Sequence, residues 1–282
     1  MAKQCAHPSR NKADFYTPHA TRVQRGARAG TLRPMNGLAA RPLEGRTALV
    51  TGASRRLGRA IAERLHSAGA RLALHAHTDA AGLKAAERAL SGPAGPAVSF
   101  TADLRDARAA EELVEKAWKA LDGLDLLVNN VGVFERTPWR TLDADAFDRA
   151  MAVNARPVFL LSLAAGRRMK ERGHGAIVNV ACASGLKPWG GYVPYSASKA
   201  AVVSLTQGFA KAFAPEVRVN AVAPGPVLAP EAMDEAQRAA AAATTLLKRW
   251  GGPSDVAEAV LLLATQPWLT GVILPVDGGR TA

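Results

Sequence analysis

Arg46-Thr-Ala-Leu-Val-Thr51 runs directly into Gly52-Ala-Ser-Arg-Arg-Leu-Gly58, and then into a segment with apolar residues at Ile61, Ala62, Leu65 and Ala68. The first six residues read as a short buried strand. The spacing of the last four puts them on one face of a helix. A turn with a glycine at each end lies between. Strand, glycine turn and helix in this order present backbone N–H groups and a helix N-terminus to a pyrophosphate. The next apolar run, Arg71-Leu-Ala-Leu-His75, supplies a second strand and completes a βαβ unit.

Outward from this unit, strand and helix patterns alternate as far as residue 221, which predicts a parallel, doubly wound α/β sheet. Strands are expected near 46–51, 71–75, 97–101, 124–129, 175–181, 217–222 and 271–275. Helices are expected near 56–68, 80–90, 106–121, 144–171, 194–213 and 254–265. The fold class is a single Rossmann-like domain of about seven strands with helices on both faces. Ligands in such sheets bind beyond the carboxyl ends of the strands, where Gly52, Asp103, Asn130, Cys182 and Pro224 fall. Residues 226–250 interrupt the alternation. With Pro226, Pro230 and an alanine-rich run at 239–243, they read as a helical lid over the substrate.

Tyr195-Ser-Ala-Ser-Lys199 places a phenol and an ammonium four residues apart, on one face of a helix. The positive charge favours the phenolate, so the spacing predicts a lowered Tyr195 pKa. A Tyr so tuned passes a proton to a carbonyl or imine as hydride arrives at the neighbouring carbon. Asn154 lies in an otherwise apolar helix, three residues before Pro157. Pro157 cannot donate to the Val153 carbonyl and distorts the helix there, and a distorted turn can hold a water that links Lys199 to solvent.

Together these residues resemble the short-chain dehydrogenase/reductase family, over roughly residues 44–282. Thr51-Gly-Ala-Ser-Arg-Arg-Leu-Gly58 matches the cofactor turn, with Arg56 in place of one glycine. Ala102-Asp103-Leu104 matches the adenine-side segment, and Asn129-Asn130-Val-Gly132 the motif after the fourth strand. Asn154, Tyr195 with Lys199, Pro224-Gly225 and Asp277-Gly-Gly279 follow in the family's order. The resemblance implies Tyr195, Lys199, Asn154 and Cys182 as the catalytic group. It implies Gly52, Arg55, Arg56, Leu57, Gly58, His77, Asp103, Leu104, Asn130, Gly132, Tyr195, Lys199, Pro224 and Gly225 as the cofactor-binding residues. Cys182 stands thirteen residues before Tyr195, where the family has Ser. A thiol is a weak donor, so Cys182 is either a poorer substrate-orienting group or a small core hydrophobe. Ser184 is two residues off register.

Binders of NAD place an acid at the tip of the second strand. Here the strand ends His75-Ala-His77-Thr78, with Asp79 following, and Arg55 and Arg56 stand in the glycine turn. The expected cofactor is therefore NADP(H). Within the family, the Arg-Leu-Gly turn, His75-Ala-His77 and Phe134 resemble the pteridine reductases. That likeness implies a flat pterin or folate stacked on Phe134, with Trp189 and Tyr192 also at the substrate. Cys182 and Gly132 depart from that branch, which prefers Asp and a small polar residue there. Two alternatives stay open: a general carbonyl or 3-oxoacyl thioester reductase, and a non-catalytic dinucleotide-binding scaffold.

At 282 residues and 48% hydrophobic content, one large domain can bury its own core. Two cysteines, Cys5 and Cys182, form no disulfide framework and suit a reducing cytoplasm, the expected location. No apolar run approaches the ~18 residues of a membrane span, and no metal-ligand spacing appears, so no membrane or metal role is expected. The net charge of +12 suggests nucleic acid only at first sight. Lys3, Arg10, Lys12, Arg22, Arg25, Arg28 and Arg33 against Asp14 put half of it in residues 1–40. Residues 1–43 read as a basic, disordered extension, and nucleic acid is not expected as a partner. The expected partners are a small-molecule substrate and further copies of the chain, in a homotetramer.

Overall fold

A computed structural model describes residues 41–229 and 233–282. The expected basic extension lies outside the described residues up to position 40. Its last residues belong to the fold: Leu43 is buried, and its N–H donates to the Ala68 carbonyl at 2.8 Å.

Seven strands form one sheet in the order β3-β2-β1-β4-β5-β6-β7, every neighbouring pair parallel. They are β1 (Thr47–Thr51), β2 (Arg71–Ala76), β3 (Val98–Thr101), β4 (Leu126–Asn129), β5 (Gly175–Val180), β6 (Val217–Pro224) and β7 (Ile273–Val276). The central strands are apolar on both faces: Ala48, Leu49 and Val50 in β1 and Leu126, Leu127 and Val128 in β4 are all buried. Such runs are stable only where helices cover both sides of a parallel sheet. Helices α1 (Arg56–Ser67) and α8 (Pro253–Thr265) bury Ile61, Leu65, Val256 and Val260 in one core layer. Helices α3 (Ala107–Leu121), α5 (Arg156–Arg172) and α6 (Val193–Phe213) bury Leu113, Leu161, Met169 and Phe213 in the other. Helix α2 (Ala80–Ala89) follows β2. Strand order reverses between β1 and β4, which opens a crevice at their carboxyl ends.

The expected continuous helix over 144–171 is broken into three. Helix α4 (Ala144–Ala150) passes into a π-helical turn (Met151–Ala155) and then into α5. Pro157, in the first turn of α5, lacks the N–H that an α-helical turn would need there, and the turn widens. Within the expected lid segment, α7 (Glu235–Ala243) is closed by a capping box between Asp234 and Gln237 and buries none of its residues.

Candidate active site

The carboxyl end of β1 leads into Gly52, whose φ of +67° is in the left-handed region. Arg56 is left-handed too, at φ +53°, a conformation that costs a non-glycine residue about 1–2 kcal/mol. Arg55 is the N-cap of α1 and makes no side-chain cap, and the first turn of α1 carries no acid. Its leading N–H groups are therefore open to an anion. A Cβ on Gly58 would collide with the Gly52 carbonyl, so the turn and the helix start pack backbone to backbone. This cradle fits a dinucleotide pyrophosphate. Asn130 holds the turn: its Nδ2 donates to the Thr51 carbonyl at 2.9 Å, and its N–H donates to Thr51 Oγ1 at 2.9 Å.

The edge of the turn carries one carboxylate and two guanidiniums. Asp79 caps α2, accepting the Gly82 N–H at 3.0 Å. That amide, the Ser54 hydroxyl and Arg55 hold its carboxyl below the usual value. An acid thus lies closer to the turn than the strand-end reading implies, but it is committed to a helix cap. Arg56 reaches the Ala229 carbonyl at 3.4 Å. His77 lies 3.7 Å from Asp103, whose carboxylate is held down to about 2 by Arg105, its bidentate partner.

Leu104, an expected cofactor residue, and His75, from the expected strand-end pattern, both turn their side chains inward. The Leu104 side chain is buried in the core beneath α3, so only its backbone is left to meet a ligand. His75 is also internal, with Nε2 bound to the Ala102 carbonyl at 3.0 Å, and burial pushes its pKa down to about 4. The His-x-His pattern therefore sends one imidazole inward and one outward, as alternation along a strand dictates.

At the ends of β4 and β5 lie the expected catalytic residues. Lys199 is buried and donates to the Val180 carbonyl at 2.9 Å. Burial lowers its pKa from 10.5 to about 8, opposed by the neighbouring Cys182. The expected lowering of the Tyr195 pKa does not hold. Burial raises it well above the ordinary value of 10, and the adjacent Cys182 adds to the rise. Tyr195 is part-buried and the Lys199 ammonium stands 6.0 Å from the ring centroid, so desolvation outweighs its field.

Cys182 itself is buried, is the neighbour of both groups, and caps a 3-10 turn through the Ser184 N–H at 3.5 Å. The Ser184 hydroxyl is buried without a hydrogen-bond partner among the described residues. Asn154 sits in the π turn. Its Oδ1 accepts the Val133 N–H at 2.8 Å, and its Nδ2 donates to the Val133 carbonyl at 3.2 Å and to Ser198 Oγ at 3.0 Å. The amide is used in clamping the loop at Val133, after β4, to α6, so it positions Phe134 and the Tyr195 helix. A Cβ on Gly132 would lie 3.1 Å from Asn154 Oδ1 and 3.3 Å from Lys199 Nζ, so a side chain at this position would crowd both groups.

Four aromatic rings line the mouth. Phe134 stacks on Tyr192 with centroids 4.5 Å apart and meets Tyr195 edge-on at 4.9 Å. Trp189 meets Phe134 at 6.3 Å and Tyr192 at 5.9 Å, both edge-on. The free ring face that a pterin would need on Phe134 is, on one side, already taken by Tyr192. Pro224 ends β6, and a Cβ on Gly225 would meet Asp277, so the cofactor side packs against the last loop of the chain. That loop brings Arg280 over Trp189, at 4.1 Å from the ring centroid. Nothing in local sequence pattern singles Arg280 out, because only the return of the chain past β7 places it here. A cavity of about 460 Å³ among Arg46, Asp125, His174 and Arg218 lies at the opposite, amino ends of the strands, away from these groups.

The family model described as Enoyl-(Acyl carrier protein) reductase matches residues 52–281. A 4-formylbenzenesulfonate dehydrogenase of Comamonas testosteroni is 38% identical over 84% of this chain and 98% of its own length. A putative ketoacyl reductase of granaticin polyketide synthase from Streptomyces violaceoruber is 34% identical over 84% of this chain and 96% of its own. The crystal structure of a short chain dehydrogenase from Burkholderia cenocepacia in complex with NADP superposes with a TM-score of 0.79 at 34% identity, covering 86% of this chain and 100% of that one. The chain belongs to the short-chain dehydrogenase/reductase family and is an oxidoreductase of that type. No helix among the described residues is long and apolar enough to cross a membrane.

Proposed function

We propose that the protein is an NADPH-dependent reductase of carbonyl compounds. In this reading Tyr195 donates the proton, Lys199 supplies its positive charge, and Cys182 lines the reacting end of the pocket. The observation that carries it is the grouping of Lys199, Tyr195 and Cys182 beneath an aromatic mouth, at the same strand ends as the glycine turn. NADPH bound at that turn would supply the hydride. Gly52, Arg55, Arg56, Leu57 and Gly58 would hold its phosphates, and His77, Asp103, Pro224 and Gly225 would flank it. A buried Lys, held by desolvation at a pKa of about 8, is costly and has no purpose in a non-catalytic scaffold.

The carbonyl reading is preferred to a pterin because Tyr192 occupies a ring face of Phe134 and because the relatives' names concern formyl and ketoacyl substrates. The test is NADPH oxidation against aromatic aldehydes, acetoacetyl thioesters, diketones, dihydrobiopterin and dihydrofolate. Turnover of the carbonyls is expected, and turnover of the pteridines alone would overturn the reading. Assembly into a homotetramer is also proposed, with the paired Phe159 and Phe209 rings on α5 and α6, 5.8 Å apart and Phe159 exposed, as the supporting feature.

NADPH is expected to bind at least about tenfold more tightly than NADH, or about 1.4 kcal/mol, since Arg55 acts on Asp79 just past β2 and Arg56 adds a second guanidinium in the glycine turn. Arg56→Gly relieves the left-handed strain and removes one cation. It is expected to raise thermal stability slightly while narrowing the NADPH-to-NADH ratio of dissociation constants, read by fluorescence titration. A ratio unchanged by the substitution removes Arg56 from cofactor selection.

A further inference from the structure

Past β7 the chain turns through Gly278 and Gly279, both left-handed at φ +64° and +81°, and comes back over the aromatic mouth. Asp277 fixes this turn. Its Oδ1 accepts the Gly279 N–H at 2.9 Å, and its Oδ2 accepts the Thr281 N–H at 2.9 Å and the Thr281 hydroxyl at 2.6 Å. The Gly278 carbonyl accepts the Leu247 N–H at 3.2 Å, and Lys187 Nζ donates to the Ala282 carbonyl at 3.0 Å. The loop is therefore tied to the segment after α7 on one side and to the approach to Trp189 on the other. Arg280 sits between these anchors, and its position over Trp189 is set before any ligand arrives.

Two features distinguish this guanidinium. The carboxylate nearest in sequence, Asp277, has both oxygens committed to the loop, and among the described residues Arg280 has no ion-pair partner. It is also partly withdrawn from water: burial lowers its pKa, while the nearby Cys182, Asp277 and Tyr192 oppose the drop. Arg stays charged under any such shift. A partly desolvated cation without an ion-pair partner among the described residues, on the cluster that also contains Tyr195, is a site for an anion.

We propose that Arg280 is a specificity-determining residue that binds a carboxylate or sulfonate on a flat aromatic carbonyl substrate. The substrate ring lies along the outer edge of the Phe134, Trp189 and Tyr192 cluster, not between its packed rings, with its carbonyl toward Tyr195 and its anionic group toward Arg280. The planar guanidinium fork matches a two-oxygen acceptor in two parallel hydrogen bonds, and contact with the Trp189 face leaves its N–H edge free to make them. This assignment rests on the carbonyl-reductase reading above.

The test compares 4-carboxybenzaldehyde with its methyl ester, methyl 4-formylbenzoate, by NADPH oxidation. The wild-type protein is expected to favour the acid in kcat/KM. Arg280→Met is expected to reduce the acid-to-ester ratio at least tenfold, chiefly through KM, and Arg280→Lys to restore part of it. A ratio that Arg280→Met leaves unchanged, or a wild-type preference for the ester, overturns the assignment. Calorimetry with NADP and either 4-carboxybenzyl alcohol or benzyl alcohol separates this outcome from failure of the carbonyl reading. Tighter binding of the acid that Arg280→Met abolishes supports Arg280 even if no aldehyde turns over, and equal binding of the two alcohols counts against it.

Discussion

Tyr195→Phe is expected to lower kcat for carbonyl reduction by at least about 100-fold, the usual contribution of a positioned general acid. The ring and its edge-on contact with Phe134 are retained, so packing is undisturbed. The raised pKa keeps the phenol protonated at neutral pH, which is the form a proton donor needs. Its weakness as an acid is offset only when the carbonyl oxygen gains negative charge at the end of the pocket beside Lys199. NADPH affinity is expected to stay within about twofold, because the phenol contributes to the chemical step more than to the phosphate cradle. A variant that retains more than a tenth of wild-type kcat would show that another group delivers the proton.

Lys199→Met is expected to have opposite effects on activity and stability. Activity should fall by a factor comparable to the Tyr195 variant. In the wild type, kcat/KM should decline as pH rises through about 8, the value at which the free protein's ammonium is lost, and the Met variant's residual rate should lack that limb. For stability the sign is set by the native pKa lying below the unfolded one. Between about 8 and 10.5 the unfolded chain binds the additional proton, so stability rises with pH across that window. The cost of burying the ammonium is thus fully present at pH 7, and a shift from 10.5 to about 8 corresponds to about 3 kcal/mol. Loss of the Val180 hydrogen bond offsets about 1 kcal/mol of the gain. The variant should melt several degrees higher at pH 7, with the advantage shrinking towards pH 10. A lower melting temperature at pH 7 would mean that the Val180 contact, rather than desolvation, dominates at this position.

The seven strands and their order along the chain were legible in the sequence because they follow from short-range signals. Continuous apolar runs mark strands buried on both faces, and glycines mark the turn after β1. Spacing likewise brought Tyr195 and Lys199 to one helix face. The break at Met151–Ala155 was half visible: Pro157 signalled a distortion but not that the turn would widen into a π turn with its Asn amide consumed by Val133 and Ser198. The motif named Leu104 as a position but not the direction of its side chain, which packs into the core and leaves the backbone as the part that could meet a cofactor.

The sequence by itself determined the doubly wound sheet, the glycine turn and the residues grouped at its carboxyl end, since periodicity and turn chemistry are local properties. Only the tertiary structure decided the electrostatics and the shape of the pocket. Burial reversed the expected direction of the Tyr195 shift, because desolvation depends on every element packed around a group and no spacing rule counts them. The same long-range packing gave a face of Phe134 to Tyr192. It also carried Arg280, eighty-five residues beyond Tyr195 in the chain, onto the ring of Trp189.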